Sequence, residues 1–291
     1  MGIDFSGRVA IVTGAGGGLG RCHALALAAR GARVVVNDLG AAQAVVDETR
    51  AAGGQALASS ASVTDMAAVQ AMVDEAVAAW GGVDILVNNA GILRDKSFAK
   101  MDLADFRQVV DVHLMGAVHC CKAVWPHMVA AQYGRIVMTT SSSGLYGNFG
   151  QSNYGAAKMA LVGLMQTLSL EGAKANIRVN CLAPTAATRM TEGLLPAEVL
   201  ALLKPEAVTP ALLWLASEGG PNRVIACAGA GSFEAAHITL TNGMHLGTGA
   251  DVPEQLAAAW ARVSDRQGET VPDAGAAQGR NELAMALRSP S

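Results

Sequence analysis

The sequence predicts an α/β protein built on a doubly wound parallel sheet. Two observations carry this expectation. Short β-branched runs alternate with longer helical stretches, and the crossovers are a dozen or more residues long, as parallel strands require. The polar and glycine-rich motifs also fall at the ends of the strands, on what would be one edge of the sheet.

Arg8–Val12 reads as the first strand. It runs into Thr13-Gly14-Ala15-Gly16-Gly17-Gly18-Leu19-Gly20, and then into an Ala- and Leu-rich helix, Arg21–Arg30, closed by Gly31. Strand, glycine loop and helix in this order make a phosphate cradle. Glycines allow close backbone approach, and a helix N-terminus presents N–H groups to a pyrophosphate. The second strand, Arg33–Asn37, ends at Asp38, about 20 residues past the glycines. A carboxylate there suits the hydroxyls of an adenosine ribose and repels a 2′-phosphate. No Arg or Lys follows closely, so NAD is expected rather than NADP.

A crossover helix spans Gly40–Gly53, and a third strand Gln55–Ser59. Thr64–Trp80 reads as an amphipathic helix capped by Thr64. The fourth strand, Val83–Val87, exits into Asn88-Asn89-Ala90-Gly91. Leu103–Ala131 gives one or two helices with a break near Pro126, and Arg135–Thr140 a fifth strand. Ile177–Cys181 is the sixth strand, leading to Ala183-Pro184-Thr185. The stretch from Thr185 to Leu203 has no strong period and reads as a lid over substrate. A helix, Pro205–Ser217, should bend at Pro210. Val224–Cys227 is a seventh strand, followed by the glycine loop Gly229-Ala230-Gly231. A strand pair over Glu234–Leu246 and a short helix over Pro253–Val263 are expected next. One domain, residues 1–264, includes an extension over 229–264, and 265–291 is expected to be a flexible tail.

The chemistry concentrates in Ser141–Lys158. Tyr154 and Lys158 are four residues apart, so on a helix they share one face. A free phenol, with a pKa of about 10, is a poor base at neutral pH. A neighbouring ammonium favours the phenolate, and a cationic ring nearby favours it further. Ser141, at the exit of the fifth strand, can hydrogen-bond the oxygen that Tyr154 protonates or deprotonates. That is equipment for moving a proton at an alcohol or ketone oxygen.

Composition narrows the remaining classes. Half of the 291 residues are apolar, 15% are charged and the net charge is −3, so no general attraction to nucleic acid is expected. Apolar runs are short, so no membrane span is expected. Five scattered cysteines have no metal-ligand spacing and read as reduced thiols. The start lacks a secretory pattern and the end, Arg-Ser-Pro-Ser, is no peroxisomal address, so a cytoplasmic location is expected.

With TGAGGGLG at 13–20, NNAG at 88–91, Ser141 and YGAAK at 154–158 in place, the chain resembles the short-chain dehydrogenase/reductase family over about residues 5–231. The resemblance implies a Rossmann-type sheet of seven parallel strands in the order 3-2-1-4-5-6-7, and a homodimer or homotetramer. It implies that Tyr154 is the acid/base, that Lys158 holds the ribose and lowers the Tyr154 pKa, and that Ser141 orients substrate. Cofactor contacts carry over to Gly14, Gly16, Gly18, Leu19, Gly20, Asp38, Ser62, Val63, Asn89, Ala90, Gly91, Tyr154, Lys158, Pro184 and Thr185. Ser62-Val63 departs from the family's Asp-Val pair. His113 stands where the family has a catalytic Asn that anchors a water largely through its backbone carbonyl, which a His keeps.

A narrower likeness runs through NDLG at 37–40, GILRDKSF at 91–98, WPHM at 125–128, SGLYGNFGQSNY at 143–154 and LKPEAVTPALLWL at 203–215. It points to the branch of (3R)-hydroxyacyl-CoA dehydrogenase domains, also called 17β-hydroxysteroid dehydrogenases. The implied reaction is NAD-dependent oxidation of a 3-hydroxyacyl-CoA, in lipid metabolism, with a hydroxysteroid or other hydrophobic alcohol as the alternative substrate. A catalytically silent dinucleotide-binding protein is the alternative of a different class. Arg94, Lys96 and Arg189 are the cations nearest the substrate edge, and at least one of them is expected to meet the CoA moiety.

Overall fold

The computed structural model describes residues 2–187 and 196–288. Contacts divide the chain into two units, 1–235 and 236–291.

The first unit begins with β1 (Val9–Thr13), α1 (Gly18–Ala28), β2 (Arg33–Asn37), α2 (Ala42–Ala51), β3 (Gln55–Ser59), α3 (Met66–Trp80) and β4 (Ile85–Asn88). α4 (Leu103–Val110), α5 (Gly116–Ala131), β5 (Gly134–Thr139), α6 (Ser142–Tyr146), α7 (Ser152–Glu171) and β6 (Ile177–Thr185) come next. α8 (Ala197–Leu202), α9 (Thr209–Ala216), β7 (Ile225–Gly229) and β8 (Ser232–Ala236) complete the sheet-forming elements. The sheet order is 3-2-1-4-5-6-7-8. The seven expected strands are parallel in the expected order, and β8 returns antiparallel at the edge. Every residue of β1, β4 and β5 is buried, as in a sheet covered on both faces. The registers Thr13↔Asn37, Asn37↔Ser59, Asn88↔Met138 and Thr139↔Leu182 bring the strand exits level, so the polar motifs share one edge.

Several boundaries differ from the sequence expectation. Asp65, not Thr64, caps α3, its carboxylate accepting from the Ala67 and Ala68 N–H groups at 2.9 and 3.2 Å. Pro210 does not bend a helix. A short 3₁₀ turn, Pro205–Ala207, ends before α9, which places Pro210 in the first turn of α9, where no N–H is needed. α5 continues through Pro126. The interruption comes earlier, as a π-helical turn over Asp111–Met115 between α4 and α5. β6 runs on through Pro184, which pairs with β7 beyond the last β5–β6 partner, Leu182, so its missing N–H costs no β5 bond.

In the second unit, Leu240 and Thr270 form an antiparallel bridge where a strand pair was expected over Glu234–Leu246. α10 (Val252–Val263) matches the expected short helix. α11 (Ala276–Arg288) lies within the segment expected to be a flexible tail. Among the described residues, no helix is long and apolar enough to cross a membrane.

Candidate active site

The glycine loop is held to the β4 exit by the side chains of Thr13 and Asn89. Thr13 Oγ1 accepts from the Asn89 and Ala90 N–H groups at 3.0 and 3.1 Å, and Asn89 Nδ2 donates to the Thr13 and Gly14 carbonyls, both at 3.0 Å. Two glycines are demanded by close approach. A Cβ on Gly20 would lie 2.2 Å from the Gly14 carbonyl oxygen, and one on Gly16 would lie 2.6 Å from the Asp38 carboxyl carbon. No side chain caps α1, and no acidic residue occupies its first turn, whereas Asp65 and Asp102 cap α3 and α4. The first turn of α1 therefore keeps its donors for something other than the chain. These residues fit a dinucleotide pyrophosphate.

Asp38 sits at the β2 exit. Its carboxylate accepts from the Gly16 N–H at 3.2 Å and from Gly40 and Ala41 at 3.0 and 3.1 Å, so it is fixed beside the loop before any ligand arrives.

Ser141 is the N-cap of α6 and accepts from the Ser143 N–H at 3.2 Å. Tyr154 and Lys158 lie on α7, one turn apart. Tyr154 and Ser141 line the same cavity, and the Ser141 hydroxyl acts to lower the Tyr154 pKa. Lys158 does not bond the phenol: Nζ donates to the Thr139 carbonyl at 2.5 Å and stands 5.5 Å from the Tyr154 ring centroid. Burial dominates both groups. It raises the Tyr154 pKa above its ordinary value, with the Ser141 hydroxyl opposing and the Asp95 charge adding. It lowers Lys158 to about 7. The expected drop in the Tyr154 pKa is thus absent in the protein alone. The reason is that the ammonium is committed to a strand-end carbonyl and both groups have lost water.

His113 occupies the π-turn and is buried. Nε2 lies 3.0 Å from the Ile92 nitrogen and 2.8 Å from the Ile92 oxygen, one contact or the other being a hydrogen bond according to the tautomer. Nδ1 is buried without a partner. The ring meets Tyr154 edge-on, with centroids 5.2 Å apart and planes at 90°. Burial, aided by the Lys158 charge, holds its pKa down at about 3, so it is a neutral ring at physiological pH. A Cβ on Gly91 would lie 2.3 Å from His113 Cε1, so this glycine makes room for the ring.

These groups open into one cavity of about 600 Å³. Of the residues expected to bind cofactor or catalyse, Gly14, Gly16, Gly18, Leu19, Asp38, Asn89, Gly91, His113, Ser141, Tyr154, Lys158, Pro184 and Thr185 line it. Gly20 and Ala90 support the loop from behind. Val63 packs on Gly116, and Ser62 bonds Thr64 at 2.8 Å; neither reaches the cavity wall. Arg94 and Lys96 miss the cavity as well, pairing instead with Asp105 at 3.7 and 3.1 Å. Arg189, and with it residues 188–195 of the expected lid, lies outside the described residues. Leu93, Asp95, Asn148 and Gln151 line the cavity although nothing in their spacing singled them out. Leu93 and Asp95 line the cavity while Arg94 and Lys96 pair with Asp105, a division that no sequence signal marked. Among the described residues no group of three His, Cys, Asp or Glu side chains could hold a metal ion.

A doubly wound sheet with a glycine loop, an acidic β2 exit and a Ser–Tyr–Lys set lining one cavity defines a dinucleotide-dependent oxidoreductase. The model of the short chain dehydrogenase family matches residues 8–198, and the chain belongs to that family. It is 51% identical over 227 residues, 74% of its length, to the peroxisomal hydratase-dehydrogenase-epimerase of Saccharomyces cerevisiae, of which it covers 25%. Among solved structures it is similar to the full-length peroxisomal multifunctional enzyme type 2 of Drosophila melanogaster (TM-score 0.84, 40% identity, 98% of this chain and 50% of that one). It is also similar to a 7α-hydroxysteroid dehydrogenase complexed with NADH and 7-oxo glycochenodeoxycholic acid (TM-score 0.73, 32% identity, 79% of this chain and 95% of that one). The chain thus spans a quarter of the length of the yeast protein and half of that of the Drosophila structure.

Proposed function

We propose that the protein is an NAD-dependent dehydrogenase that oxidises the secondary alcohol of a (3R)-hydroxyacyl-CoA to the 3-ketoacyl-CoA. One observation carries the reading: Ser141, Tyr154 and Lys158 line the same cavity as the glycine loop and Asp38. The acyl-CoA substrate is supported by the 51% identity to a hydratase-dehydrogenase-epimerase. A hydroxysteroid is the second reading, favoured by the likeness to the 7α-hydroxysteroid dehydrogenase.

In this reading the first turn of α1 would hold the pyrophosphate of NAD, Asp38 would accept from the adenosine ribose hydroxyls, and Lys158 would hold a ribose of the cofactor. NAD, when bound, supplies the hydride acceptor and, oxidised, a positively charged ring. Tyr154 takes the alcohol proton, and Ser141 hydrogen-bonds the same oxygen and holds it for transfer. His113, a neutral ring edge-on to Tyr154, fixes the orientation of the phenol. Because burial raises the Tyr154 pKa, added positive charge is what makes the phenolate accessible near neutral pH. Met159 and Leu170 are exposed on α7 and suit burial in a homodimer or homotetramer.

A panel of 3-hydroxyacyl-CoA thioesters and hydroxysteroids, followed by NADH absorbance, tests the reading. Activity should appear with the thioesters, rise with pH through one ionisation, and fall about 10²–10⁴-fold in Tyr154→Phe while NAD still binds. Near-normal turnover by Tyr154→Phe would remove the phenol from the mechanism, and activity confined to steroids would establish the second reading.

A further inference from the structure

The end of the cavity beyond Tyr154 is lined by Leu93, Asp95, Asn148 and Gln151, and Asp95 is the charged side chain there among the described residues. Along the loop segment 92–96, Leu93 and Asp95 line the cavity, whereas Arg94 and Lys96 do not. Arg94 and Lys96 turn outward to Asp105 on α4, at 3.7 and 3.1 Å. Asp95 turns inward.

The segment is tied to the start of α7 by three hydrogen bonds. The Arg94 carbonyl accepts from Asn153 Nδ2 at 3.0 Å, Asp95 Oδ2 accepts from Gln151 Nε2 at 2.6 Å, and the Lys96 N–H donates to the Gly150 carbonyl at 2.9 Å. Asn148 Nδ2 in turn donates to Gln151 Oε1 at 3.0 Å. Gln151 is the residue at the head of α7, three before Tyr154. Among the described residues, this carboxylate is therefore held by a neutral amide and pairs with no cation, on the cavity wall. Its charge reaches the Tyr154 phenol. Besides Asp95, the titratable groups facing that phenol among the described residues are Lys158 on α7 and His113 on the π-turn.

We infer that Asp95 is a specificity residue that rejects alcohols bearing a carboxylate close to the reacting carbon and admits neutral esters and thioesters. This rests on the hydroxyacyl reading above. In a free 3-hydroxy acid, an anion two bonds from the carbinol would stand against Asp95. In the thioester that position is uncharged, and the CoA phosphates sit at the far end of the pantetheine arm, beyond a Debye length of about 8 Å. The outward turn of Arg94 and Lys96 removes the cations that would otherwise have offset the repulsion. Asp95 is at the exposed rim of the cavity, so its effect is screened by salt.

The test compares kcat/KM for (3R)-hydroxybutyrate and its methyl ester, in the unmodified protein and in Asp95→Asn, which can still bond Gln151. Asp95→Ser is the second variant. Both substitutions should shift the acid-to-ester ratio toward the acid by about tenfold or more, and 0.5 M salt should narrow the gap in the unmodified protein only. With the ester, the rising limb of the pH profile should move to lower pH in both variants, because an anion that raised the Tyr154 pKa has gone. Ratios unchanged in both variants, with both compounds oxidised, overturn the assignment of Asp95 and leave the hydroxyacyl reading standing. If neither compound is oxidised while a neutral steroid alcohol is, the hydroxyacyl reading fails and this proposal fails with it.

Discussion

At the glycine-loop end of the cavity the chain contributes backbone, and at the catalytic end it contributes buried side chains. The first end works by omission: Gly16 and Gly20 leave space, and α1 has no cap of its own. The second works by enclosure: Lys158 and His113 are buried and Tyr154 is half-buried, and each is displaced from its ordinary pKa. Backbone donors cost little when left open to solvent, whereas a buried ammonium is held against its solvation. The two ends should therefore respond to substitution in opposite ways.

The sharpest contrast is expected at Lys158. Its pKa is about 7 in the folded protein, against an ordinary value near 10.5. Below pH 7 both folded and unfolded chains carry the proton. Between about 7 and 10.5 only the unfolded chain does, so stability rises with pH across that window. Lys158→Met should abolish turnover, raise stability at pH 7 by about 1–4 kcal/mol, and flatten the rise toward pH 10. Urea unfolding at two pH values measures this. A loss of stability at pH 7 would mean that the Thr139 contact outweighs desolvation.

The glycine-loop end should show specificity effects instead. Asp38→Ser should narrow or invert an NAD preference by about 1.5–3 kcal/mol, read as the ratio of kcat/KM for the two cofactors. Unchanged preference would show that Asp38 serves only the Gly16, Gly40 and Ala41 N–H groups.

Gly91 lies where the two ends meet. Gly91→Ala should cost about 1–3 kcal/mol in urea, because its Cβ meets the His113 ring. Adding His113→Asn, with a smaller side chain, should recover part of the loss. No recovery would show that the clash relaxes elsewhere.

The same contrast explains what was legible in the sequence. Thr13–Gly20 could be read because close approach admits few residues, and Tyr154 with Lys158 because four residues is one helical turn. Asp38 could be read from its place at a strand end. The π-turn could not, since Asp-Val-His-Leu-Met carries no helix breaker and its extra residue is a tertiary accommodation. Pro126 drew the expected break because proline usually ends helices, and packing overrode it. Arg94 and Lys96 were read by charge and proximity, and Asp105 captured both. Ser62 and Val63 were carried over from the family pattern, and Val63 is spent on packing against Gly116.

The turn at Asp111–Met115 also sets the rotational phase of α5. One residue advances an α-helix by about 100°, and a wide turn absorbs one more residue than a regular helix would. Deleting a single residue here would mend the helix as a helix. It would also rotate the whole of α5 by that angle, carrying Gly116, Ala117, Cys120 and Val124 off the face they bury. The irregularity is therefore a timing element in the chain: the regular alternative is locally better and globally out of step.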